Sequence, residues 1–198
     1  MILFDEDQPL ARPFNRFFSV FLLRDGLFSP LERFLRATER IGTEIQYFHA
    51  DVEFAALRAA QYGWKVCAAA DAASSFRLDF VPARLLSEMG ERIVADLQFC
   101  DLERRVPDRF PGVHFLGQDF FIHPDVEILP GCVLDSRSGP IVLDQGVKVS
   151  PFSYAEGPLY AAVDARLDNV RITGGVILGR SVRAGGEIEN SIVGDFSN

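Results

Sequence analysis

The stretch that decides the fold is "ITGGVILGRSVRAGGEIENSIVGD", Ile172–Asp195. It divides into sixes: "ITGGVI", "LGRSVR", "AGGEIE" and "NSIVGD". Ile172, Leu178 and Ala184 open the first three, and Val176, Val182 and Ile188 follow four places later. The same rhythm runs upstream. "IHPDVE" and "ILPGCV" begin it at Ile122, and "LDSRSGPIV", "LDQGVK", "VSPFSY" and "AEGPLY" carry it to Tyr160. The opening places there are Ile122, Ile128, Leu134, Leu143, Val149 and Ala155, with Val126, Cys132, Val147, Ser153 and Leu159 four later. A six-residue period is too short for a pair of amphipathic helices. It is also too regular for sandwich strands, whose turns fall every ~8–12 residues. It fits a β-helix in which each hexad makes one short strand and one corner. The opening residue points inward, the one four later fills the corner, and small or left-handed-tolerant residues take the turns. Three hexads make one triangular coil, so Ile122–Asn198 supplies about four coils. "SRSGP" and "DARLDNVR" interrupt the period and read as corner insertions.

Upstream of residue 111 the chain changes character. Thirteen of its 18 Phe lie there. "FSVFLL" (Phe18–Leu23) reads as a buried strand. In "SPLERFLRATERIG", Ser29 and Glu32 form a capping box, Pro30 takes the first helical position, and Gly42 stops the helix. "EIQYFHA" then reads as a strand, "DVEFAALRAAQYG" as a helix from Asp51 to Gly63, and "WKVCAA" as another strand. "VPARLLSEMGERIVADLQ" adds a third helix. The alternation β-α-β-α-β favours a parallel sheet with helices packed on it. The expected organisation is therefore α/β + β: a Rossmann-like α/β domain over residues 1–110 and a β-helix over residues 111–198.

Composition narrows the function classes. The net charge is -8, with 17 acids and 14 bases in residues 1–110 and 11 acids and 6 bases in residues 111–198. Neither half carries a basic stripe, which disfavours nucleic acid and anionic membranes as partners. No apolar run reaches the ~18 residues of a membrane span. The opening "MILFDEDQPL" turns acidic too early for a signal peptide. Cys67, Cys100 and Cys132 have no disulfide or metal spacing and read as reduced, buried thiols, which points to the cytoplasm.

"LGRSVR" matches the hexapeptide-repeat signature in full, and the repeat resembles the hexapeptide-repeat left-handed β-helix. "LDSRSGPIVLDQGVKV" and the ending "GGEIENSIVGDFSN" are similar to the corresponding stretches of GlmU-like sugar-1-phosphate nucleotidyltransferases. "ILFDED", "ARP" (Ala11–Pro13) and "LRDGLFSPLERF" resemble the opening of that family with altered spacing. The resemblance implies joining of a nucleoside triphosphate to a sugar 1-phosphate, with Mg²⁺, in cell-envelope precursor metabolism. It implies a nucleotide and a sugar phosphate as ligands. Arg12, Arg24 and Asp25 lie near the ends of early elements, where an open α/β sheet binds its ligands, and are the substrate-binding candidates. Asp5, Glu6 and Asp7 are acids that could hold a divalent cation through water.

The chain departs from the family pattern where the chemistry is concentrated. A Gly-rich nucleotide loop needs glycine so that backbone N–H groups can approach phosphates. "FDEDQPLARPF" has none, and the chain's two lysines are Lys65 and Lys148. A second reading is therefore a catalytically inactive β-helix subunit that keeps the repeat as an assembly platform. A third is a hexapeptide acyltransferase, in which a histidine acts as base toward a thioester. His123, at the second place of "IHPDVE", is the repeat's histidine for that role. The sequence stops within a hexad, so the interior residues of its last coil need a cover: a missing continuation, a folded-back tail, or another subunit. Ile188, Ile192, Val193 and Phe196 are the candidate assembly surface, with a second copy or another β-helix subunit as partner.

Overall fold

The computed structural model describes residues 110–198 throughout, and residues 84–100 with Leu102 and Arg104. Nearer the N-terminus it describes residues 2–5, 26–29, 32–33, 35–36, 46–49, 56, 59–60, 63, 65–66 and 76–77. The chain divides into two compact units. One comprises Met1–Leu23 and Ser29–Val81, and the other Arg24–Phe28 and Pro82–Asn198.

The first unit holds a four-stranded parallel sheet of β1 (Ile2–Asp5), β2 (Gln46–His49), β3 (Lys65–Val66) and β4 (Phe76–Arg77), in the order β3-β2-β1-β4. β2 and β3 fall within the stretches expected as strands, and β1 is formed by the first residues of the chain. The capping box closes in both directions: Ser29 N–H donates to Glu32 Oε2 at 2.8 Å, and Glu32 N–H donates to Ser29 Oγ at 3.2 Å. These bonds satisfy two donors that a helix start otherwise leaves open. Gly63 has φ +68°, the left-handed value expected of a residue ending a helix. "FSVFLL" lies outside the described residues, as do Pro30 and Gly42.

The second unit is a parallel β-solenoid of about four turns. Its strands stack into three faces. The first face is built from β5 (His114–Leu116), β8 (Val133–Asp135), β11 (Tyr154–Glu156) and the middle of β13 (Arg166–Leu178) and β14 (Arg183–Val193). The second comprises β6 (Phe120–Ile122), β9 (Ile141–Leu143), β12 (Leu159–Ala161) and the ends of β13 and β14. The third comprises β7 (Glu127–Ile128), β10 (Lys148–Val149) and the starts of β13 and β14. β13 and β14 turn two corners each without leaving the ladder, and register shifts mark where they bend.

The hexad arithmetic explains the interior. All nine opening residues named above are buried, from Ile122 to Ala184, and so are all their corner partners except Ile188, which is partly buried. Ser153 is the polar member of this interior. Its hydroxyl donates to the Ser150 carbonyl at 2.9 Å and accepts the Val170 N–H at 3.3 Å, so its burial costs little. "SRSGP" is a lengthened corner between β8 and β9, as expected. "DARLDNVR" is not an insertion. Ala161 and Ala165 occupy the inward places of a regular hexad, and "LDNVR" completes the coil with Leu167 and Val170 inward and one residue fewer. Alanine at the inward places hides the period, because its apolar signal is weak.

The second face differs from the other two in its outward residues. Phe121, Val142, Tyr160, Ile177 and Ile192 form an apolar outer column, and the third predicted helix covers it. That helix comprises α1 (Arg84–Ser87) and α2 (Met89–Leu97), with a turn at Glu88 between them. Met89 and Ile93 are fully buried against the column, and Leu27 and Phe28 complete the cluster. Burying side chains of this size contributes about 1.5–3 kcal/mol each. Close approach depends on glycine here: a Cβ on Gly175 would stand 3.0 Å from Met89 Sδ, and one on Gly90 3.2 Å from Pro158 Cγ. Asp96, fully buried on α2, accepts the Phe28 N–H through Oδ2 at 3.3 Å and so ties segment 26–28 to the helix.

Candidate functional site

Arg12, Arg24 and Asp25 lie outside the described residues, as do Glu6 and Asp7. The backbone of Asp5 ends β1, one of the sheet's two inner strands, where the order β3-β2-β1-β4 reverses direction between β1 and β4. Open parallel sheets bind ligands at the carboxyl ends of their strands at such a reversal. His123 opens a corner of the first coil, where its Nδ1 accepts the Asp125 N–H at 3.1 Å. Cys132 is buried and its thiol donates to the Ser150 carbonyl at 3.0 Å. Burial raises its pKa, which keeps it a neutral thiol. Cys67 lies outside the described residues. Ile188 and Val193 are partly buried against the solenoid interior, Ile192 is partly buried in the helix-side cluster, and Phe196 is exposed.

Two polar clusters stand on the solenoid surface. One occupies the lengthened corner. Asp135 is almost wholly buried and receives a two-pronged contact from Arg137, Nε to Oδ1 at 2.9 Å and Nη2 to Oδ2 at 2.6 Å. The Arg137 backbone N–H adds a third bond at 3.1 Å. These bonds, the side-chain ones foremost, hold the Asp135 carboxyl below the usual range. Beside them Ser138 Oγ donates to Glu156 Oε1 at 2.7 Å. Asp135 is matched by Arg137 and Glu156 by Ser138, so the cluster reads as a brace for the insertion.

The other cluster is a shallow groove of about 210 Å³ on the third face, lined by Glu127, Leu129, Lys148, Val149, Ser150, Arg166 and Asp168. Alternation along the strands places it. Ile128, Val149, Leu167 and Ala184 point inward, so Glu127, Lys148, Arg166 and Arg183 stand outward in one cross-strand column. Lys148 Nζ lies 3.2 Å from Glu127 Oε2, and Ser150 Oγ donates to Asp168 Oδ1 at 2.8 Å. No sequence motif marks this groove. The signal is nevertheless in the hexads: Glu127, Lys148, Arg166 and Arg183 are the sixth residues of "IHPDVE", "LDQGVK", "AAVDAR" and "LGRSVR". Among the described residues no group of three His, Cys, Asp or Glu is placed to hold a metal ion. No described helix is long and apolar enough to cross a membrane.

Comparison with protein-family models, with curated protein sequences and with solved structures gave no match.

Proposed function

We propose that this protein is a divergent, abbreviated sugar-1-phosphate nucleotidyltransferase-like protein that binds a nucleoside triphosphate on its parallel sheet. The observation that carries this reading is the reversal of strand order at β1. In a Rossmann-like arrangement the crevice there takes the nucleotide; β1 ends at Asp5, and Glu6 and Asp7 come next in the sequence. Those acids are the ones available to a Mg²⁺ ion, which would neutralise phosphate charge during transfer. Arg12, Arg24 and Asp25 are the candidates for the phosphate and sugar. The solenoid, read as a left-handed hexapeptide β-helix, serves as the platform on which copies of the chain assemble. We place the protein in the cytoplasm, acting in cell-envelope precursor synthesis.

The glycine-free stretch "FDEDQPLARPF" favours a second reading, in which the assembly platform is kept and catalysis is lost. One experiment separates the two. Thermal melts with UTP, dTTP, GTP and ATP, with and without Mg²⁺, are followed by pyrophosphate release with a panel of sugar 1-phosphates. The first reading requires a raised melting temperature with one nucleotide and pyrophosphate release with one sugar. A folded protein that no nucleotide stabilises, and that releases no pyrophosphate, refutes the first reading and supports the second.

A further inference from the structure

Residues 111–198 hold six Lys and Arg side chains. Three have a structural task or a place away from the groove. Arg137 forks onto Asp135, and Arg171 lies over the Tyr154 ring, its guanidinium carbon 5.2 Å from the ring centre. Arg180 stands at a corner, its N–H bonded to Asp195 Oδ1 at 2.8 Å. The other three, Lys148, Arg166 and Arg183, fall in one column of the third face. Lys148 is the register partner of Arg166, and Arg166 of Arg183. Adjoining strands lie about 4.8 Å apart, so three cations repeat at that spacing.

Like charges directly opposite one another destabilise a sheet. In an acidic chain with few bases, such a column calls for a compensating charge. Glu127 compensates Lys148 alone, and Asp168 faces the groove with one oxygen held by Ser150. Arg166 and Arg183 are exposed and form no ion pair among the described residues. Gly185, the register partner of Asp168, sets no side chain beside it; Arg166 lines the groove, and Arg183 is its neighbour in the column.

We propose that the Lys148–Arg166–Arg183 column is a phosphate-binding site on the solenoid. Two planar guanidinium forks side by side offer parallel N–H pairs to the oxygens of one phosphate, and the Lys148 ammonium adds a third charge. A dianion there converts the repulsion along the column into attraction. Glu127 and Asp168 oppose binding and limit it to anions of sufficient charge, which favours phosphate over a simple carboxylate. The site lies on the second unit and owes nothing to the nucleotide reading of the sheet.

The test uses the full chain and amide-resolved NMR titration at low salt with inorganic phosphate, pyrophosphate, glycerol phosphate and acetate. The expected result is shifts at residues 148–150, 166–168 and 183–185 with the phosphate compounds and none with acetate. Affinity falls steeply as salt is raised. Tighter binding of the ester than of free phosphate would identify a phosphorylated metabolite as the natural occupant, and equal binding the free anion. The R166Q/R183Q variant loses affinity roughly tenfold or more, as expected for charge-assisted bonds. E127Q, which frees Lys148, binds at least as tightly as the parent. Both changes fall on exposed side chains; without ligand R166Q/R183Q, which relieves repulsion, should melt no lower than the parent, and E127Q only slightly lower, which verifies that the fold is intact. Shifts confined to other residues, or phosphate affinity unaltered in R166Q/R183Q, overturn the proposal.

Discussion

Three consecutive residues at the start of β13 allow the register of the solenoid to be tested with single substitutions. Leu167 is fully buried, while Arg166 and Asp168 on either side are exposed. Leu167→Ala removes three carbons from the interior. At about 0.8 kcal/mol per buried methylene, the transfer loss is ~2.4 kcal/mol. The cavity adds to this, because the inward neighbours in the column are Val149 on one side and Ala184 on the other. Ala184 has no side chain long enough to move into the space. The total therefore belongs in the upper part of the ~2.7–5.0 kcal/mol range for buried Leu→Ala changes, about 3.5–4.5 kcal/mol. Asp168→Ala loses its bond from Ser150 at the surface, and Arg166→Ala loses no ion pair, so each should fall within about 0.5 kcal/mol of the parent. Urea unfolding followed by far-ultraviolet circular dichroism measures all three. A one-residue slip would exchange inside for outside. A Leu167→Ala cost below about 1 kcal/mol, or a larger cost for Arg166→Ala, refutes the inward column and the hexad alignment built on it.

Three further outcomes follow from the packing and the corner. Gly175→Val sets side-chain carbon against Met89 and lifts α2 from its face, so it should cost about 1–3 kcal/mol, and Met89→Ala in the same chain should recover part of the loss. Asp96→Ala leaves the buried Phe28 N–H without that acceptor, and hydrogen exchange at Phe28 should accelerate with a stability loss of about 1–3 kcal/mol. Asp135 is held at a lowered pKa chiefly by Arg137, so the stabilisation it provides is complete above the ordinary carboxylate value of about 4 and is lost as pH falls through the depressed one. Arg137→Ala should accordingly be less stable than the parent at neutral pH, and the gap should close as pH falls through the depressed Asp135 value and the carboxyl protonates in both proteins. A gap independent of pH would mean that Arg137 acts through packing alone.

The solenoid was legible because its constraint repeats. A coil interior accepts one small or apolar side chain at each inward place, so Ile172, Leu178 and Ala184 announce it together where none would alone. Legibility ended where the inward residue is alanine. Ala161 and Ala165 satisfy the interior as fully as Ile and Val do elsewhere, yet alanine is common on surfaces, and the coil they build reads as an interruption. The third helix was legible from its own composition, but not its partner. Val142, Tyr160 and Ile177 sit at outward places of their strands, and only the three-dimensional stacking shows them to be one apolar column. The capping box at Ser29 and Glu32 was readable because both bonds are local, spanning three residues. Arg12, Arg24 and Asp25 stand out by sequence position near element ends, a criterion that locates a neighbourhood and does not select a side chain.

A solenoid repeats each outward place of a face once per turn, so the chemistry of a face is set by columns and not by a motif. On the second face that column is apolar, and a helix covers it. On the first it runs through Tyr154 and Arg171, which engage each other. On the third it runs through Lys148, Arg166 and Arg183, which within the described residues have Glu127 as their one paired carboxylate. The interior is indifferent to these choices, since Val149, Leu167 and Ala184 pack alike whichever outward residue follows or precedes them. Folding therefore does not account for the cations, and repulsion along the column acts against them. A feature that the fold neither needs nor favours is best explained by what binds there, which makes the third face, and not the matched corner at Asp135, the place on the solenoid to look for a ligand.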